Sequence, residues 1–120
     1  MNVLIVESRK ELAQLWARHL ERQGAEVSVA ADQESAIDLL RTRSFRVIVL
    51  DLVLSEGSAL AISDFANFRQ PEARVVFVTN TSFFSDGSIF RHSANACAFL
   101  PSATKPGDLA ALVEHYAQAS

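Results

Sequence analysis

Three polar residues stand directly after runs of apolar residues, and their types suit chemistry on a charged group. They are Glu7 after Val3-Leu4-Ile5-Val6, Asp51 after Val47-Ile48-Val49-Leu50, and Thr79 after Val75-Val76-Phe77-Val78. A carboxylate at the mouth of a buried strand needs hydrogen bonds, a cation or a reaction partner, because its desolvation is costly. Asp51 is therefore the leading candidate for a functional residue.

Each of the three residues also has a purely structural interpretation. An isolated Asp is usually a turn former or a helix cap, but the next predicted helix starts too far downstream for Asp51 to cap it. Glu7 fits two interpretations equally well. It could hold a divalent cation together with Asp51, since oxygen ligands suit magnesium, or it could lie near the positive end of the first helix. Thr79 could bond a phosphoryl oxygen or be an ordinary strand residue.

The strands and helices that must position these residues are predicted from the pattern of apolar residues and from the cap and turn residues between them. Five short apolar runs alternate with amphipathic stretches, which predicts an α/β fold with a parallel sheet covered by helices on both faces. The alternating Val27 and Val29 place the second strand near an edge. In such a sheet, binding sites lie beyond the carboxyl ends of the strands. That edge would carry Glu7, Asp51, Thr79 and the turn over residues 99–102.

Cap signals predict where the helices begin and end. Ser8 and Glu11 form a capping box for the first helix, and Gly24 ends it. Asp32 is predicted to cap the second helix. The remaining predicted helices are a third over about residues 58–69 before Pro71, a short one over about 88–94, and a last one over 107 to about 119.

Composition excludes several classes of function. The chain has 120 residues, of which 49% are hydrophobic and 21% charged, and this predicts one domain with its own core. A net charge of −3 disfavours nucleic acid or a membrane as a partner. Cys97 stands alone, which fits a cytoplasmic location. The three histidines lack metal-ligand spacing, and phosphate-binding glycine loops and nucleophile elbows are missing, so an independent enzyme is not expected.

The segment over residues 47–60, VIVLDLVLSEGSAL, resembles the D-L-x-L-P-D-G-S-G-L segment of receiver domains in bacterial two-component response regulators. The resemblance extends over essentially the whole chain, residues 1–120, and it suggests a stand-alone, CheY-like receiver. It implies a flavodoxin-like, doubly wound (βα)5 fold with five parallel strands in the order 2-1-3-4-5.

The resemblance also implies roles and partners. Asp51 falls on the phosphoacceptor aspartate, Thr79 on the Ser/Thr switch residue, and Phe99 on the aromatic switch residue. Asp51 would take a phosphoryl group from a phosphohistidine with the help of Mg2+, and the other two would change a protein-binding surface. The implied partners are a histidine kinase or histidine phosphotransfer protein and a downstream protein target, with a homodimer as a further option.

Two departures from the family pattern concern charge. Glu7-Ser8 replaces the usual acidic pair, so the metal site would consist of Glu7 and Asp51 alone and would be weak or absent. We interpret Ser8 as structural, through its capping box. Ser102 stands where a gapless alignment places the phosphate-contacting lysine. Lys105 lies three residues later and is expected to be a solvated surface residue, unless a loop rearrangement brings it inward.

Two further departures, Ser55 and Ala59 in place of Pro and Gly, lie in the loop after Asp51. Three functional interpretations remain open from the sequence. The first is a phosphoacceptor. The second is a phosphorylation-independent pseudo-receiver that binds proteins, with Phe83-Phe84 as a possible anchor. The third is a small-ligand binder of flavodoxin-like topology.

Overall fold

The computed structural model describes residues 1–79 and 96–118. In chain order the elements are β1 (Asn2–Val6), α1 (Lys10–Arg22), β2 (Glu26–Ala30), α2 (Gln33–Thr42), β3 (Val47–Asp51), α3 (Ala59–Arg69), β4 (Arg74–Thr79), β5 (Ala96–Pro101) and α4 (Pro106–Gln118). The helix predicted over 88–94 and the Phe83-Phe84 pair lie outside the described residues. No helix within the described ranges is both long enough and apolar enough to span a membrane.

The five strands form one parallel sheet in the order β2-β1-β3-β4-β5. This confirms the predicted fold class, strand order and edge position of β2. Because β1 and β3 are neighbours, paired from Val3 with Val47 to Val6 with Leu50, their carboxyl ends meet at the same edge. The register of β3 with β4 pairs Asp51 with Val78, so Thr79 comes next along the adjacent strand.

Alternating side chains of the central strands bury two apolar layers, one on each face of the sheet. One layer packs Val3, Ile5, Val47, Val49, Val76 and Val78 against α1 and α4, and it includes the buried Trp16 of α1. The other packs Leu4, Val6, Ile48, Leu50, Val75 and Phe77 against α2 and α3. These residues are almost fully buried, so the strand ends are held on a rigid base.

The first helix does not begin with the predicted capping box. Its N-cap residue is Arg9, in an extended conformation (φ −81°, ψ 100°) and without a side-chain cap bond. The prediction for Ser8 was wrong because its hydroxyl is engaged elsewhere. Ser8 Oγ donates to the Ala31 carbonyl at 2.9 Å and accepts from the Ser55 N–H at 2.9 Å.

The other cap predictions are confirmed. Asp32 Oδ1 accepts from the Ser35 N–H at 2.9 Å at the start of α2. Gly24 has φ +92°, and the N–H groups of Gly24 and Ala25 bond back to the carbonyls of Glu21 and Leu20. This is the Schellman arrangement, in which glycine relieves the strain of a positive φ. The chain therefore turns sharply from α1 into β2.

Gln70, after α3, joins the end of α2 to the start of β3. Its side-chain oxygen accepts from the Phe45 N–H at 2.8 Å, and its amide nitrogen donates to the carbonyls of Leu40 at 2.9 Å and Arg43 at 2.6 Å. We expect Gln70→Ala to lower the free energy of unfolding by about 2 kcal/mol, because partly buried backbone groups lose their partners. Urea denaturation would measure this, with the exposed Gln23→Ala as the matched control. Equal losses in the two variants would contradict the assigned role.

Candidate functional site

The carboxyl ends of β1 and β3 bring two buried acids to one edge of the sheet. Glu7 follows β1 and is 1% exposed, and Asp51 ends β3 and is 4% exposed. Strand alternation turns both side chains toward the face that α1 and α4 cover, the same face as Ile5 and Val49. Two carboxylates this deep demand a compensating positive charge or a proton.

The two oxygens of the Asp51 carboxylate have different surroundings. Oδ1 accepts a hydrogen bond from the Val53 N–H at 2.9 Å. Oδ2 faces the Arg9 guanidinium, with Nη2 at 3.4 Å. The backbone therefore fixes one oxygen and the orientation of the carboxylate, while the other oxygen has a cation in front of it.

Arg9 is the residue at this edge that the sequence analysis missed. Its Nε donates to Glu7 Oε1 at 2.6 Å, and its Nη2 donates to Asp51 Oδ2 at 3.4 Å and to Ser102 Oγ at 3.3 Å. One guanidinium thus joins the loops that follow β1, β3 and β5. The Arg9 side chain is 49% exposed, whereas its carboxylate partners are almost fully buried, so it lies at the mouth of the site.

Glu7 differs from an ordinary surface glutamate in its protonation. Burial raises its pKa to about 8, the neighbouring Asp51 carboxylate raises it as well, and Arg9 acts in the opposite direction. Its Oε2 is buried without a hydrogen-bond partner among the described residues. The pKa of Arg9 is also raised, and the largest cause is its hydrogen bond to Glu7. The Glu7 carboxyl therefore keeps its proton to a higher pH than an ordinary glutamate does, beside a charged Arg9.

This protonation makes stability depend on pH in a specific direction. Between the ordinary pKa of 4.5 and the folded value of about 8, the folded chain binds a proton that the unfolded chain has lost. The stabilisation of the folded chain by this proton is fully present below pH 4.5 and is lost as the pH rises through about 8. We expect stability to fall over this window by up to roughly 1 kcal/mol per pH unit, and Glu7→Gln to flatten the decline.

Denaturation in urea at a series of pH values would test this expectation, with Glu21→Gln as an exposed control that keeps the wild-type slope. A Glu7→Gln variant whose stability declines as steeply as that of the wild type would contradict the assignment of the proton to Glu7.

The remaining candidates take separate positions around this edge. Ser102 lies in the turn after β5, where its N–H donates to the Thr79 carbonyl at 2.8 Å and its hydroxyl meets Arg9. Thr79 is 2% exposed. Phe99 is partly buried, packs on the α2 and α3 face of the sheet and pairs in register with Phe77. Lys105 is exposed, directly before α4, as predicted.

Comparison with known proteins decides the family. The sequence model of the family described as "Response regulator receiver domain" matches residues 3–116. This chain belongs to that family. A receiver domain is a signalling module of two-component systems.

Individual relatives agree with the assignment. Over 78 residues the receiver is 27% identical to the photosynthetic apparatus regulatory protein RegA of Rhodobacter capsulatus; this match covers 65% of the chain but 42% of RegA. The receiver domain of NtrX from Brucella abortus shares 26% identity and superposes with a TM-score of 0.87, covering 98% of this chain and 99% of that one.

A third relative is a response regulator from Burkholderia pseudomallei, solved with a phosphorylated aspartic acid, a calcium ion and citrate. It shares 25% identity with this receiver and superposes with a TM-score of 0.84, and the match covers 98% of this chain and 69% of that one.

The divalent metal that the family implies does not fit this site as it stands, because the Arg9 guanidinium lies where the metal would meet Glu7 and Asp51. Among the described residues, Glu7 and Asp51 are the carboxylates at this edge, and the neighbouring Ser8 directs its hydroxyl to Ala31 and Ser55. The described ranges contain no group of three His, Cys, Asp or Glu side chains able to hold a metal. Arg9 already lies against both carboxylates.

Proposed function

We propose that this receiver domain accepts a phosphoryl group on Asp51 and passes the signal on through protein contacts, as a signalling module rather than an independent enzyme. The observation that carries the proposal is the Asp51 carboxylate itself. The Val53 N–H holds Oδ1, and Oδ2 faces a cation at the mouth of the site. The phosphorylated aspartic acid of the Burkholderia pseudomallei relative supports it.

The proposed step is a transfer between two phosphoryl carriers. Oδ2 of Asp51 attacks the phosphorus of a phosphohistidine, on a histidine kinase or a histidine phosphotransfer protein. A P–O bond forms as the P–N bond breaks, and the electron pair of the P–N bond goes to the imidazole nitrogen, which takes up a proton. The product is an acyl phosphate on Asp51.

Thr79 and Phe99 would transmit this change. Thr79 lies at the end of the strand next to Asp51, and its carbonyl is bonded to Ser102, a contact of Arg9. Phe99 lies on the neighbouring strand, on the face of the sheet that packs on α2 and α3. Phosphorylation of Asp51 would therefore change the conformation at the β4–β5 end of the sheet through contacts between adjacent strands. A downstream protein would bind the altered surface.

Phosphoramidate, a small donor with a P–N bond, tests the proposal without a cognate kinase. We expect the intact mass to rise by one phosphoryl group, and peptide mapping to place that group on Asp51. Amide NMR should show shifts at Thr79 and Phe99 in the labelled protein. No label after prolonged incubation with excess donor, in a folded protein, would overturn the proposal.

A second function, protein binding without phosphorylation, is favoured by one observation. Arg9 already faces Asp51 Oδ2 at 3.4 Å before any phosphoryl group arrives, so a positive charge compensates the Asp51 carboxylate in the unmodified site. In that case a downstream partner would bind wild type and Asp51→Asn with equal affinity, and the phosphoryl donor would not change either affinity.

A further inference from the structure

We propose that Arg9 is the resident cation of this site, and that its one side chain takes the place both of a metal between Glu7 and Asp51 and of a lysine facing the phosphoryl group. The second role rests on the proposed phosphorylation of Asp51. The first role does not, because it concerns the unmodified site. The contacts of Arg9 carry both.

The metal-like role follows from where the guanidinium lies. Its Nε is 2.6 Å from Glu7 Oε1, and its Nη2 is 3.4 Å from Asp51 Oδ2, so it bridges the two carboxylates that would be the ligands of a cation. A metal entering between them would have to displace a permanently charged group. Arg9 therefore competes with a divalent cation for the same two oxygens.

The lysine-like role follows from the third contact. Ser102 occupies the family's lysine position and offers only a hydroxyl, and Arg9 Nη2 lies 3.3 Å from that hydroxyl. The same Nη2 faces Asp51 Oδ2, the oxygen to which no backbone N–H of the described residues donates. A phosphoryl group on Oδ2 would thus meet a guanidinium, whose forked donors suit phosphoryl oxygens.

The backbone explains how Arg9 reaches the site. Arg9 precedes the first turn of α1 in an extended conformation, so its side chain leaves the chain at the edge of the sheet and not on a helix face. Among the described residues the Nη1 group has no part in these three hydrogen bonds, so the guanidinium fork offers it as a second donor. The side chain also remains half exposed at 49%, which lets it follow an incoming phosphoryl group without leaving a buried cavity.

Metal binding tests the first role directly, without any phosphoryl donor. Mn2+ would be titrated as a paramagnetic probe while the amide signals near Glu7 and Asp51 are recorded. We expect Arg9→Ala to bind the ion at least about 10-fold more tightly than the wild type, since two carboxylates lose their resident cation. Arg18→Ala, at an exposed arginine of α1, serves as control and should match the wild type. Equal binding by wild type and Arg9→Ala would overturn this role.

Labelling with phosphoramidate tests the second role. We expect the wild type to label at similar rates with Mg2+ and with a chelator, and Arg9→Ala with a chelator to label about 10- to 100-fold more slowly. Introducing Ser102→Lys into Arg9→Ala should restore much of the rate. Unchanged labelling of Arg9→Ala, or a wild type that labels only with Mg2+, would overturn this role.

The two experiments separate the failure of this inference from the failure of the proposed function. A wild type that never labels would contradict phosphorylation of Asp51 and with it the second role, while the Mn2+ titration would still decide the first. A wild type that labels at Asp51 together with an unaffected Arg9→Ala would leave the proposed function intact and remove Arg9 from it.

Discussion

Asp51→Asn is expected to abolish phosphoryl uptake, with a loss of at least roughly 1000-fold in the labelling rate. An amide has nearly the shape of a carboxylate but lacks its nucleophilic charge. The amide oxygen can still accept from the Val53 N–H, which now holds Asp51 Oδ1 at 2.9 Å, so the loop after β3 should keep its conformation. The variant thus removes the chemistry while it preserves the fold. Intact mass after incubation with phosphoramidate measures the effect.

Asp38→Asn provides the matched control for this prediction. Asp38 lies on α2, is 66% exposed at its side chain and makes a surface ion pair with Arg41, and such pairs contribute little. We expect Asp38→Asn to label like the wild type. If Asp51→Asn labels at the wild-type rate, or if both variants lose the label together, Asp51 is not the phosphoacceptor.

Gly57→Ala is expected to destabilise the protein by about 3 kcal/mol, for two reasons that add. Gly57 has φ +93°, a conformation that costs a residue with a side chain about 1 kcal/mol. An added Cβ would also overlap the Cβ of Gln33 and lie 2.8 Å from its Oε1. That same Oε1 accepts from the Ser58 N–H at 2.8 Å, so the clash falls on the contact that joins this loop to α2.

Gly24→Ala isolates the backbone part of this effect. Gly24 has nearly the same φ, +92°, but nothing lies within 4 Å of an added Cβ. We expect Gly24→Ala to cost about 1 kcal/mol. Urea denaturation of both variants measures the difference, which reports the close approach to Gln33. Equal losses would mean that Gln33 moves aside without cost.

The loop that Gly57 allows is also part of the site. It carries Val53, whose N–H holds Asp51, and Ser55, whose N–H bonds to Ser8. A destabilised loop should therefore affect labelling as well as folding. Ser55, one of the departures from the family pattern, contributes here through its backbone, since the contact to Ser8 uses its N–H.

Much of the scaffold could be predicted from the sequence because it depends on local signals and long apolar runs. Continuous runs such as Val47–Leu50 identify strands that are buried on both faces, and their ends place Glu7 and Asp51 at one edge. The cap at Asp32 and the turn at Gly24 are set by neighbouring residues alone. The strand order came from the family resemblance, since composition and periodicity do not specify it.

The electrostatics of the site could not be predicted in the same way. The role of Arg9 depends on the convergence of the loops after β1, β3 and β5, which are far apart in sequence. The capping box failed for a related reason: Ser8 meets Ala31 and Ser55 across the fold, and these contacts outweigh a local cap. One signal was available in the sequence. The predicted site lacked a lysine and had a weak or absent metal, and Arg9 is a basic residue in the loop that follows β1.

The two hydrogen bonds of Ser8 bear on how this site could change in evolution. An aspartate at this position would supply a third carboxylate, but it could not donate a hydrogen bond to the Ala31 carbonyl. The β2–α2 loop would then lose its hydrogen bond to residue 8, which now links it to the β3–α3 loop. It would also give Arg9 another carboxylate to bind. A single substitution at Ser8 would therefore not create an ordinary metal site while Arg9 lies against Glu7 and Asp51.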